Sequence, residues 1–382
     1  MSLSSSSFVK KCFKKFGIAP GNFGTASNAG AGRILAGSLV LAAALATLML
    51  PAQARPERDD NPREHAMGFL PDVPMSVWQD PDVEQRGIVV AVHGLVMHGR
   101  VYDTMARELA KDGLTVVAPD LRGYGRWQKL SEEESNRKSG NRSEKKSEKK
   151  SEKIEYVSSL NDLKEVVSAL RANSPDLPIF MVGESMGAGL SLRVAEALPG
   201  QVNGLVLSSP AIKRRFYMEP EMVKDLAGLV RNPLREVDLV PYIRKFASEN
   251  PTVSEEAIHD PYVRKHLSCL DLLNTATFIR GNISHARGVP ATVPVLVIQG
   301  DKDRMLRHEA VSALLSRLKS RDTTMCWLPG KGHVLIETSH IEPNTMDTIR
   351  GWLSQHLPAR SSSLISSMPA GTNLFSASEL SK

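Results

Sequence analysis

The sequence predicts a mostly parallel, doubly wound α/β sheet with a helical cap inserted over one edge. Three observations carry this. Short β-branched runs alternate with amphipathic stretches of helical length, and the runs are largely apolar, the pattern of buried strands. The one long break in the alternation, residues 212–290, falls between the fourth and fifth runs. Strands alternating with helices pair in parallel through right-handed crossovers, which gives the doubly wound form.

The elements follow in chain order. Residues 1–54 carry Lys10, Lys11, Lys14, Lys15 and Arg33 and no acidic side chain. An apolar stretch at 34–50 comes next and ends in Pro51-Ala52-Gln53-Ala54. Small residues at the first and third places of the last tripeptide fit signal-peptidase subsites, so the segment reads as a secretory signal cleaved after Ala54. A membrane anchor retained at 34–50 is the rival reading, since about 17 apolar residues is the lower limit for a span. Cleavage implies export to a periplasm, the medium or an organelle lumen; retention would hold the body at a membrane surface.

The body is expected over 67–358. Strands are read at 87–92, 115–119, 178–182, 205–207, 295–298 and 323–328. Helices are read at 101–111, 156–171, 187–198, 309–319 and 345–357. Residues 129–153 are almost all Ser, Glu, Lys, Asn and Arg, too polar to offset their ordering entropy, and are expected to form a disordered surface insertion. The Ser-rich tail, 359–382, is read the same way. Of the formal net charge of +6, the first 54 residues supply five; the rest holds 43 basic against 42 acidic side chains. That balance gives no electrostatic footprint for nucleic acid. Cys12, Cys269 and Cys326 show no metal-type spacing and no disulfide framework.

Gly183-Glu184-Ser185-Met186-Gly187 is a G-x-S-x-G motif wedged between a strand and a helix, the context in which it presents a nucleophilic serine. The glycines suit a turn so sharp that a flanking Cβ would collide with backbone. A serine hydroxyl needs a base, and the base an orienting acid. Val297-Ile298-Gln299-Gly300-Asp301-Lys302-Asp303 ends a strand with two candidate acids. Gly330-Lys331-Gly332-His333 follows the next strand with a candidate base, and His340 is a weaker one. His93-Gly94-Leu95 ends the first strong strand; the N–H groups of Leu95 and Met186 are the natural donors to a tetrahedral oxyanion.

His93-Gly94-Leu95-Val96-Met97-His98-Gly99-Arg100-Val101-Tyr102, Asp120-Leu121-Arg122-Gly123-Tyr124-Gly125-Arg126 and the Ser185 motif together resemble the monoacylglycerol lipase and lysophospholipase family of α/β-hydrolases. The resemblance extends to Gly300-Asp301-Lys302-Asp303 and Gly332-His333-Val334-Leu335. It selects Asp303 over Asp301 as the triad acid beside Ser185 and His333. It also implies a carboxylester hydrolase acting on a small-molecule or lipid acyl ester, with no metal or organic cofactor. Tyr124 and Trp127 depart from the family's D-L-R-G-H-G-R-S pattern. Two alternatives stand beside hydrolysis: acyl transfer through the same triad, for which His98 and Asp103 offer an H-x4-D spacing, and a catalytically silent binding protein.

Overall fold

The computed structural model describes residues 69–128, 153–212, 232, 234–306 and 308–358. The signal or anchor at 1–54, nearly all of the charged insertion at 129–153, and the tail at 359–382 lie outside the described residues. Among the described residues there are nine strands: β1 (Met75–Trp78), β2 (Gly87–Val92), β3 (Leu114–Pro119), β4 (Ile179–Glu184), β5 (Gly204–Ser208), β6 (Glu236–Asp238), β7 (His266–Ser268), β8 (Val295–Gly300) and β9 (Thr323–Leu328). Seven of them form one sheet in the order β1-β3-β2-β4-β5-β8-β9, parallel except for β1, which runs antiparallel to β3. This is the α/β-hydrolase architecture.

The strands of the sheet centre are buried end to end, which explains why their sequences are apolar without alternation. The two faces nevertheless take alternate residues. Val90, Val92, Met181, Leu207 and Val297 pack on one side with α2 (Tyr156–Asn173), α3 (Met186–Ala197) and α7 (His308–Leu315). Val89, Ala91, Phe180, Val206 and Ile298 pack on the other with α1 (Asp103–Lys111) and α8 (Pro343–His356). The helix expected to reach 319 stops at Leu315.

Two differences from the sequence reading matter. First, β1 escaped it, being only four residues long. Second, the interval at 212–290 is not purely helical. Its described part holds α4 (Val240–Phe246), α5 (Pro251–His259) and α6 (Cys269–His285), but also the antiparallel ribbon of β6 and β7. Of each three-residue strand only the central residue, Val237 or Leu267, is buried, so no apolar run betrays it. The Ser268 side chain ends the ribbon and starts α6 by accepting from the Asp271 N–H, and the Asp271 carboxylate accepts the Ser268 N–H in return. Among the described residues no helix is long and apolar enough to cross a membrane.

The strand order sets the position of the site. From β2 the chain moves outward to β3, then returns to lay β4 on the other side of β2. Val92 and Gly183 are partners in that pairing, so the loops leaving β2 and β4 emerge side by side. Such a reversal point at the carboxyl edge is where open α/β sheets form their crevice.

Candidate active site

Ser185 occupies the turn between β4 and α3 with φ 54° and ψ −113°, a strained backbone for a residue with a Cβ. The flanking glycines make the turn possible. A Cβ on Gly187 would lie 1.8 Å from the Val92 carbonyl oxygen, and one on Gly183 would lie 2.5 Å from the Gly187 carbonyl carbon. Both obstacles are backbone, so neither can swing away. The Ser185 N–H donates to the Ser208 carbonyl at 2.9 Å, which ties the turn to the end of β5.

Three of the residues singled out in the sequence come together. His333 Nε2 is 2.9 Å from Ser185 Oγ, and His333 Nδ1 is 2.8 Å from Asp303 Oδ2. Asp303 is held from all sides: its Oδ2 also accepts from Gln299 Nε2 at 2.8 Å, and its Oδ1 accepts the N–H groups of Met305 (2.7 Å) and Leu306 (3.0 Å). Burial alone would raise its pKa, but the charge and hydrogen bond of His333, with the other donors, hold it below the ordinary carboxylate range. Asp303 is therefore an anion aimed at the imidazole. Asp301 is elsewhere; it is exposed, and its Oδ1 accepts the Gly330 N–H at 2.6 Å. His340 is exposed in the loop before α8.

The loop carrying His333 is clamped from several elements. The Ser209 hydroxyl donates to the His333 carbonyl at 2.7 Å, and the N–H groups of His333 and Val334 reach the Ala247 carbonyl at the end of α4. Glu184, next to the serine, accepts the Ser208 hydroxyl (2.6 Å) and the N–H groups of Leu335 (2.9 Å), Ile336 (3.3 Å) and Glu337 (3.0 Å). Ser209, Glu184, Gln299 and Glu337 hydrogen-bond to the residues and loops around the serine, and the sequence reading did not single them out. Glu184 alone carried a signal, its place beside the nucleophile.

The two proposed oxyanion donors also adjoin the serine. Met186 opens α3, so its N–H belongs to the first turn and has no intrahelical acceptor. Leu95 lines the same cavity as Ser185 and His333, and its N–H donates to no described residue. The loop below it is fixed through His93, whose Nε2 accepts the Leu121 N–H at 3.0 Å while its Nδ1 contacts the Gly94 carbonyl at 2.8 Å. Burial pulls the His93 pKa down from 6.5 to about 4, against the opposing pull of Asp120. The H-x4-D pair is not joined: His98 bonds Asp260 at 3.0 Å, and Asp103 bonds Trp78 and Arg107.

The serine opens into a cavity of about 310 Å³. Leu239, Ile243, Leu272 and Ala276 of the inserted segment roof it, and Leu95 and Met305 wall it from the body. Its lining is overwhelmingly apolar, the setting for a hydrocarbon chain and for strong electrostatics at the serine. Among the described residues no group of three His, Cys, Asp or Glu side chains could hold a metal ion. Cys269 and Cys326 are free thiols.

A family model described as Hydrolase_4, serine aminopeptidase S33, matches residues 83–339. The chain is similar to the monoacylglycerol lipase of Mycolicibacterium smegmatis, 28% identical over 74% of this chain and 92% of the relative. It is also similar to the monoglyceride lipase of Homo sapiens, 28% identical over 73% of this chain and 85% of the relative. Among solved structures it resembles a soluble variant of the Saccharomyces cerevisiae monoglyceride lipase in complex with a substrate analogue. There the TM-score is 0.60 and the identity 17%, over 78% of this chain and 96% of that one, a likeness of fold.

Proposed function

The chain belongs to the Hydrolase_4 family and is a serine hydrolase of the lipase and esterase type, and on that premise we propose that it cleaves acyl chains from monoacylglycerol or lysophospholipid. The observation carrying this reading is the hydrogen-bonded line Asp303–His333–Ser185 opening into an apolar cavity. Ser185 Oγ attacks the ester carbonyl as His333 Nε2 takes its proton. The N–H groups of Leu95 and Met186 receive the oxyanion, and His333 then hands the proton to the departing alcohol. Water activated by the same imidazole releases the fatty acid from the acyl-enzyme. Asp303 fixes the tautomer and steadies the imidazolium. We further propose that the protein is exported, with the mature chain beginning at Arg55.

A fluorophosphonate probe should label the wild type at Ser185 and leave Ser185→Ala unlabelled and inactive. On a monoacylglycerol series, each added methylene that enters the cavity is worth ~0.8 kcal/mol, about fourfold in kcat/KM, until the cavity is filled. Substantial turnover by Ser185→Ala would refute the nucleophile. Preference for an aminoacyl p-nitroanilide over every acyl ester would move the substrate to peptides.

A further inference from the structure

Glu337 is buried, yet it forms part of the wall of the cavity that holds Ser185. Its Oε1 accepts the Gly94 N–H at 2.5 Å, directly before the loop residue Leu95. The same oxygen is 3.0 Å from the Tyr102 hydroxyl, which is itself 2.8 Å from the Val92 carbonyl oxygen. Tyr102 has one hydrogen for these two acceptors, and a proton on Glu337 supplies the second. The carboxyl is also close to the nucleophile. The point that a Cβ on Gly94 would occupy is 3.0 Å from Glu337 Oε2 and 3.4 Å from Ser185 Cβ.

A second buried carboxyl, Glu184, stands beside it. Two such groups this deep do not both ionise. The charge belongs on the one with donors: Glu184 accepts four hydrogen bonds, whereas Glu337 has one N–H and a shared phenol. Burial pushes both carboxyls upward, and the Glu184 charge pushes Glu337 further, well above the carboxylate range. Glu337 shares its inner side with Glu184, Tyr102 and His333. On its outer side is a polar cavity of about 520 Å³, where His98 pairs with Asp260 and Arg107 with Asp103, and where Arg100 and Glu256 also stand.

Resting on the assignment of Ser185 as nucleophile and the Leu95 N–H as an oxyanion donor, we propose that Glu337 is a positioning residue that works in its neutral form. It grips the Gly94 N–H and so aims the next peptide N–H, that of Leu95, without placing a negative charge beside the oxyanion. Ionisation of Glu337 at high pH removes the second property and slows acyl transfer.

The test measures kcat and KM against pH on monooctanoylglycerol for wild type, Glu337→Gln and Glu337→Leu, with fluorophosphonate labelling and thermal unfolding of each. Glutamine reproduces the uncharged state, and its oxygen at the Oε1 site accepts both the Gly94 N–H and the Tyr102 hydroxyl. Glu337→Gln should keep kcat within about threefold at pH 7 and lack the alkaline decline of the wild type. Glu337→Leu should lose kcat about 100-fold, the scale of one oxyanion donor, with KM changed less than about threefold. An unchanged alkaline limb in Glu337→Gln would overturn the proposal, as would a Gln variant as impaired as the Leu variant. Should the Leu variant fail to fold, the Gln pH profile decides. A wild type unlabelled at Ser185 overturns the nucleophile assignment and this proposal with it. A labelled Ser185 with a fully active Leu variant sinks the role of Glu337 alone.

Discussion

Replacing Asp303 by Asn tests the line of three residues more sharply than removing the serine, because the surroundings dictate how the amide must sit. Oδ1 of Asp303 receives two backbone N–H groups, from Met305 and Leu306. An amide NH2 placed there would set donor against donors, so the Asn oxygen takes that site and its nitrogen replaces Oδ2. That nitrogen then faces His333 Nδ1 and Gln299. Gln299 adapts by a flip of its amide, since its Oε1 is buried without a hydrogen-bond partner and would gain one. The histidine adapts only by accepting at Nδ1, which moves its proton to Nε2, the atom that must take the proton of Ser185. The fold therefore survives while the base holds the wrong tautomer, a change that costs on the order of 10⁴ in kcat in the analogous serine-protease substitution, or about 5 kcal/mol. Asp301→Asn keeps an oxygen for the Gly330 N–H on an exposed loop and should cost less than about threefold. Turnover of p-nitrophenyl butyrate, with thermal unfolding as the control, separates the two variants. A reversed ranking, or an Asp303→Asn variant within tenfold of wild type, would refute the reasoning.

Acid should weaken the fold through His93: its unfolded pKa near 6.5 exceeds its folded value of about 4, so the unfolded chain binds the extra proton as pH falls between them. The stability contributed by the neutral ring is complete above pH 6.5 and falls by about 3 kcal/mol by pH 4; urea unfolding at stepped pH should show a shallower acid slope for His93→Gln than for wild type, and equal slopes would contradict it. N-terminal sequencing of protein from its native compartment should return Arg55 as the first residue; a terminus upstream of Ile34 in a membrane pellet would establish the anchor instead.

What the sequence made legible was local. The obstacles to a Cβ at Gly183 and Gly187 lie within the strand–turn–helix unit and the neighbouring β2, and that unit has a five-residue signature. The central strands announced themselves because both faces are buried. β1, β6 and β7 did not, since three or four residues carry no period. The clamps on the site were illegible for another reason. Glu184 meets backbone N–H groups some 150 positions later, and Glu337 meets Gly94 across 243 positions. Backbone donors have no residue identity, so no motif marks such a partner. The choice between Asp301 and Asp303 likewise needed either a family pattern or the geometry. Both follow the same strand, and only the second turns inward.

Asp303 and Glu337 show why burial alone does not assign a role to an acid. Both are withdrawn from water, yet one falls below the ordinary carboxylate range and the other rises far above it. The difference lies in what faces them: two N–H groups, an amide and an imidazole around Asp303, against one N–H, a phenol and a second carboxyl around Glu337. The sign of the outcome suits the reaction. A negative charge behind His333 stabilises the imidazolium formed in the transition state. A negative charge on the oxyanion side would oppose it; the scale is that of two unit charges about 4 Å apart, about 4 kcal/mol at an effective dielectric near 20. That is on the order of 10³ in rate, so the proton on Glu337 carries as much kinetic weight as an oxyanion donor. It also predicts an order of events on raising the pH: acyl transfer fails by repulsion at Glu337 while the fold and the Ser185–His333 contact remain intact.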